Sequence, residues 1–189
     1  MKIVMIGHSG VGKTTYMASL YGELQTKIKE FSLRTSYSDD HSQLVDLSKD
    51  IGLGLYPPPT AVRSEYSFYL QHKDKDVVNF SWADYRGKAV TSKSNDEHAY
   101  KLVQDLQEAD GIMMFCDCEE LEKLSHGNRS SYHVGNQIGR MIALVSRVFE
   151  SADHDICLSI VLAKSDLIRK FEEHHFRFFN GLIESVNAN

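Results

Sequence analysis

Lys2-Ile3-Val4-Met5-Ile6 is an apolar run that leads without a break into Gly7-His8-Ser9-Gly10-Val11-Gly12-Lys13-Thr14, a complete G-x-x-x-x-G-K-[ST] sequence. This stretch dictates a strand, a tight loop and the start of a helix. Gly7, Gly10 and Gly12 are read as positions needing backbone angles closed to other residues, so that the N–H groups of the loop, from Gly7 through His8, Ser9 and Val11 to Thr15, turn inward around an anion. The positive end of the following helix adds to that field. Lys13 would reach the β- and γ-phosphates of a nucleotide as a point charge, and the Thr14 hydroxyl would ligate Mg²⁺.

Downstream, Thr15 to Glu30 carries Met17, Leu20, Tyr21, Leu24 and Ile28 at helical spacing, which predicts a helix packed on a sheet and weakened only locally by Gly22. Phe31 to Tyr37 alternates as a short strand. Asp39 or Asp40 is placed to cap a second helix bearing Leu44, Val45, Leu47 and Ile51. The extended segment Leu55-Tyr56-Pro57-Pro58-Pro59-Thr60 follows, then two strands, Thr60 to Leu70 and Val77 to Ala83, joined as a hairpin across residues 72–76. Asp96 to Asp110 is predicted as a helix facing inward through Tyr100, Leu102, Val103, Leu106 and Ala109, and Gly111 to Asp117 as a buried parallel strand. Residues 119–131 suggest a short helical turn and a loop. Val134 to Phe149 marks a long amphipathic helix, Ile156 to Ala163 another buried strand, and Leu167 to Val186 a final helix whose apolar residues occupy more than one face.

This alternation predicts an α/β chain with a mostly parallel sheet, helices on both faces and one antiparallel hairpin strand, the P-loop NTPase fold. Gly7, Asp84, Asp117 and Lys164 all fall at strand ends along one edge, where such sheets bind ligands.

Composition narrows the function classes. A chain of 189 residues with 42% hydrophobic and 25% charged residues fits one globular domain, and a net charge of −5 leaves no basic excess for general nucleic-acid binding. Its three cysteines, Cys116, Cys118 and Cys157, imply no disulfide framework, and Cys116 is read as a strand residue rather than a metal ligand. No apolar run is long enough to span a membrane, and a strand starting at residue 2 leaves no space for a signal peptide, so the cytoplasm is the expected location.

Two further motifs address the nucleotide. Asp84-Tyr85-Arg86-Gly87 gives D-x-x-G after a strand, the order expected for a carboxylate that holds Mg²⁺ and a glycine N–H facing the γ-phosphate; alone it equally fits a capped turn. Thr60 is placed to close on Mg²⁺ and the γ-phosphate, or else simply opens a strand after three prolines. Lys164-Ser165-Asp166 supplies a K-x-D in which Asp166 can accept from both N1–H and the exocyclic amine of guanine, a pair of donors adenine lacks. The Lys164 stem would lie over the base, and Asp166 alternatively caps the last helix.

GHSGVGKT, Thr60, DYRG and AKSD, in that order, resemble the Ras-like small GTPases of the translation-factor-related class, and YPPPT followed by WADYRG is most similar to bacterial GTPase domains of the double-GTPase type. The resemblance implies a single GTPase-like domain over residues 1–189, GTP/GDP and Mg²⁺ binding, slow hydrolysis by an in-line water, switch loops around Thr60 and residues 85–95, and a protein effector or activator. Three departures stand out. Ala163 occupies the place of the usual Asn or Thr, so a contact that braces the guanine pocket is lost. Lys88 stands where many relatives carry a water-orienting Gln. Only 23 residues follow Asp166, short of the usual last strand and helix. Arg86 is either an internal catalytic arginine or a solvated loop residue. Three functions remain open: a slow GTPase switch, a GTP-dependent interaction module with little turnover, and an ATP-using P-loop kinase, for which the required arginine-bearing lid is not evident.

Overall fold

The structure is a computed structural model and describes residues 1–58, 63–85, 97–125 and 132–165. Its centre is β1 (Lys2–Ile6), which pairs in parallel with β4 (Lys75–Asp84) on one side and β5 (Gly111–Asp117) on the other. The sheet has six strands in the order β2-β3-β4-β1-β5-β6, with β2 at Phe31–Thr35, β3 at Ser64–His72 and β6 at Cys157–Ala163. Among the described strands only β3 runs against its neighbours, antiparallel to both β2 and β4, and β6 joins β5 in parallel. The expected α/β architecture with one antiparallel hairpin strand is therefore present, and the carboxyl ends of β1, β4, β5 and β6 share one edge.

The period-2 alternation of β1 divides the core. Met5 faces α1 (Lys13–Glu23) and α2 (Ser38–Gly52), among Met17, Tyr21, Leu44, Phe68 and Trp82. Val4 and Ile6 face the opposite layer, α3 (Glu97–Gln107), α4 (Cys118–Ser125) and α5 (Tyr132–Ser151), among Leu102, Leu106, Met141 and Val145. Complete burial of side chains such as Met17 or Leu44 stabilises the fold by about 1.5–3 kcal/mol each.

Several local expectations are corrected. The first helix does not reach Glu30: it ends at Glu23, followed by a 3-10 turn at Leu24–Thr26, and Ile28 is exposed. The Gln25 side-chain amide donates to the carbonyls of Tyr21 (3.1 Å) and Leu33 (2.8 Å), taking over a helix-terminal acceptor and directing the chain into β2. Lys29 and Glu30, both at positive φ, complete the reversal as Ile28 bridges Phe31. Neither Asp39 nor Asp40 caps α2, whose N-cap is the extended Tyr37; both lie in the first turn, where their charge favours the helix dipole. The β3–β4 hairpin closes through Lys73 and Asp74, both at positive φ, the geometry that the right-handed twist of paired strands selects.

On α3, Tyr100 and Val103 point outward and Asp105 points inward. The short helical turn expected within residues 119–131 is present as α4, which begins at Cys118 and runs to Ser125. Finally, β6 is not a fully buried strand, since Cys157 and Ser159 are exposed along it. The final helix expected over residues 167–186 lies outside the described residues.

Candidate functional site

The loop leaving β1 has the conformation its glycines require at two positions. Gly10 and Gly12 lie at φ 78° and 101°, in the left-handed region that a side chain disfavours, and Gly12 is the N-cap of α1. Gly7 serves a different purpose from the one its sequence suggested. Its φ is not positive; a Cβ there would stand 2.9 Å from Val11 Cγ1 and 3.0 Å from Phe115 Cβ, so the residue permits close packing of the loop on β5. Val11 is fully buried beneath the loop, while Ser9 and Gly10 are exposed at its rim.

Lys13 opens α1 with its side chain folded into the loop. Only 5% of the residue is exposed, and Nζ donates to the carbonyls of Gly7 (3.1 Å) and His8 (3.3 Å). Burial holds the ammonium below the ordinary lysine range, and the charge of Asp84 opposes that shift. Next to it, the Thr14 hydroxyl donates to Asp84 Oδ2 at 2.6 Å. Asp84 closes β4, is fully buried and stands opposite Met5 in the register with β1. A hydroxyl and a carboxylate converging beside a buried ammonium are hard oxygen donors suited to Mg²⁺, so the residues present fit that ion. Thr15 follows on α1, partly buried.

The other end of the edge is built by β5 and β6. Asp117 ends β5 with 3% exposure; Oδ1 accepts the backbone N–H groups of Glu119 (3.0 Å) and Glu120 (3.4 Å), and Oδ2 accepts Lys164 Nζ at 2.6 Å. This capping explains why α4 starts at residue 118, with two glutamates favouring its dipole. Lys164 is thus held by Asp117 in this structure. The His8 side chain, in the same loop, is mostly covered: Nδ1 donates to the Ser9 carbonyl (2.8 Å), and Nε2 lies 3.9 Å from Asp117 Oδ2. Cys116, beside Asp117, is fully buried and its thiol is pushed up to about 12 by that burial, consistent with an inert strand residue.

Gly7 to Thr15, Asp84 and Lys164 therefore assemble along one sheet edge. Thr60, Arg86, Gly87, Lys88 and Asp166 lie outside the described residues. Sequence reasoning placed Asp117 on this edge without giving it a contact, although a lone charge ending the apolar run Gly111–Cys116 marks it. It also missed a buried polar cluster around Asp105 of α3. Arg63, at the entrance to β3, donates from Nε to Tyr85 Oη (3.0 Å) and Asp105 Oδ2 (2.8 Å); the Tyr85 hydroxyl also donates to Asp105. Lys2 (2.8 Å) and Lys101 (3.2 Å) pair with the other oxygen of Asp105. The signal was available, because Asp105 falls at the inward helical spacing of Leu102, Leu106 and Ala109.

A sequence profile for the family described as Double-GTPase 1 matches residues 4–141. The chain belongs to this family. Curated proteins yield no significant match. The Double-GTPase 1 match contains β1, the phosphate loop, Asp84 and Asp117, and ends within α5, so Lys164 and Asp166 lie beyond it. Family membership implies guanine-nucleotide binding. Among the described residues no helix is long and apolar enough to cross a membrane.

Proposed function

We propose that the chain is a GTP-binding switch that hydrolyses GTP slowly with Mg²⁺. The observation that carries the reading is the junction of Lys13, Thr14 and Asp84, with the Thr14 hydroxyl 2.6 Å from a buried carboxylate at the mouth of a glycine-shaped loop. In this reading Lys13 and the loop amides hold the phosphates, and Thr14, Asp84 and Thr60 hold the metal. Gly87 offers its N–H to the γ-phosphate, Arg86 stabilises charge developing in the transition state, and Lys164 with Asp166 reads the base. Mg²⁺ supplies charge neutralisation at the phosphoryl oxygens.

Competition of labelled GTP by unlabelled nucleotides in the presence of Mg²⁺, followed by single-turnover hydrolysis, tests it. GTP and GDP displace the label and ATP does not, and phosphate appears slowly and only with the metal. Equal displacement by ATP overturns the guanine reading.

A second reading, a nucleotide-dependent interaction module with little turnover, is favoured by Lys88 standing directly after Gly87 in place of a water-orienting side chain. The same single-turnover trace separates the two, since tight binding without phosphate release selects the module. A GTPase requiring a partner's arginine would accelerate by about 10³–10⁵ on adding that partner.

A further inference from the structure

Asp117 carries a charge that is expensive where it sits. A carboxylate with 3% exposure needs strong donors, and it has the amides of Glu119 and Glu120 on one oxygen and the Lys164 ammonium on the other. The dependence is mutual: Lys164 cannot swing away without leaving that carboxylate short of its cation.

The backbone at Lys164 shows the same constraint. Its φ is 57°, in the left-handed region rarely adopted by a lysine, immediately after β6 ends at Ala163. Ala163 is the register partner of Asp117 across the β5–β6 pair and brings only a methyl group to that junction. Polar contact between the two strand ends therefore passes through Asp117 and Lys164, and the ammonium is drawn back toward β5 at 2.6 Å.

We infer that Asp117 is a positioning residue for guanine recognition: by holding the Lys164 ammonium it fixes the side chain whose stem would lie over the base. This role rests on the guanine reading above and deepens it. Asp117 acts on the base end of the site: its hydrogen bonds run to Lys164 and α4, its approach to the phosphate loop at His8 Nε2 is 3.9 Å, beyond hydrogen-bonding distance, and the Lys13 ammonium is engaged by the loop carbonyls of Gly7 and His8.

Asp117→Asn separates this role from helix capping. The amide oxygen still accepts from Glu119 and Glu120, while the ion pair to Lys164 is lost. Affinity is read with a fluorescent N-methylanthraniloyl-GDP, displaced by GDP, by ADP and by pyrophosphate, which reports the phosphate loop alone. The expected result is a loss of GDP affinity of about tenfold or more, the scale of one charge-assisted hydrogen bond, with pyrophosphate affinity kept within about twofold. Adding Asp117→Asn to Lys164→Met should weaken GDP no further than Lys164→Met alone, since both remove one interaction.

Unchanged GDP affinity in Asp117→Asn, an equal loss of pyrophosphate, or additive losses in the double variant would each overturn the role of Asp117. A parent that binds ADP as tightly as GDP instead removes the guanine reading, and this role with it. A parent that prefers GDP while the variant matches it removes the role alone.

Discussion

Lys13 shows how a single residue links folding to binding here. Its ammonium is nearly covered, held by two loop carbonyls and kept below the usual lysine range by burial against the opposing charge of Asp84. An apolar side chain of similar length fills the same space without donors, so Lys13→Met should leave the far-ultraviolet spectrum unchanged while weakening GTP by about 100-fold, two charge-assisted hydrogen bonds at about 1.5 kcal/mol each. Titration with a fluorescent GTP analogue measures this, and a variant within threefold of the parent would remove Lys13 from phosphate contact. At the base end, the K-x-D motif makes a prediction about specificity. Asp166→Asn replaces an acceptor pair by one acceptor and one donor, so preference should move from guanine toward xanthine nucleotides. Competition between XTP and GTP reads the shift directly, and an unaltered ratio would take Asp166 out of the base site.

Between elements, contacts rather than propensities decide. Gly22 illustrates this: read from sequence it is a weak point of one helix, yet a Cβ there would collide with Ser48 Oγ and stand 2.8 Å from Ser48 Cβ, so it sets how closely α1 approaches α2. Gly22→Ala should therefore destabilise by about 1–3 kcal/mol in chemical denaturation despite the better helix propensity of alanine, and Ser48→Gly in the same chain should recover part of the loss. A stabilised single variant would refute the packing argument. The Asp105 cluster sets pH limits by the same kind of contact. Burial by itself would raise this carboxyl, but donors from Lys2, Tyr85, Arg63 and Lys101 outweigh it and hold the group well below the usual carboxylate range. A depressed folded value means that its stabilisation is full above about pH 4 and is lost as pH falls further. Tyr85 is shifted upward, first by burial and then by its hydrogen bond to Asp105, so its contribution fades above about pH 10. Asp105→Asn should cost about 3–5 kcal/mol at neutral pH and flatten the acid limb of the stability profile, as measured by urea unfolding across pH. What was legible beforehand follows the same division. Apolar periodicity identified β1, β5 and α5 because their patterns answer to burial alone. It failed where one polar contact overrides pattern, as at Gln25 ending α1 and Asp117 capping α4, and where an inward charge at helical spacing, Asp105 on α3, found its partners far along the chain. The phosphate loop was legible because its backbone geometry demands particular residues; the Asp117–Lys164 pair was not, because the two residues are distant in sequence and neither needs a special neighbour.

At the scale of the molecule, the site belongs to neither half of the core. β1 contributes Met5 to the α1–α2 layer and Val4 and Ile6 to the α3–α5 layer, and the loop leaving it meets Asp84 from one neighbouring strand and packs against Phe115 from the other. A ligand gripping that loop contacts structure anchored in both layers, so binding should stabilise the whole fold rather than one element. Linkage sets the size: at a free ligand concentration of 100 Kd the native state gains about 2.7 kcal/mol. For a chain of this length that corresponds to a rise in Tm of roughly 5–10 °C. The dependence on ligand distinguishes the parts of the site. If Thr14 and Asp84 hold a metal that bridges protein and phosphate, GDP with Mg²⁺ should raise Tm more than GDP with a chelator, since chelation withdraws part of the binding energy. If the base is read beyond β6, ADP with Mg²⁺ at the same concentration should raise Tm less than GDP, because the phosphate loop alone then supplies the stabilisation. Differential scanning calorimetry of the parent chain provides all three values. Equal shifts with and without chelator would remove Thr14 and Asp84 as metal ligands, equal shifts for ADP and GDP would remove guanine selectivity, and a split transition would show that the two layers unfold independently of the strand they share.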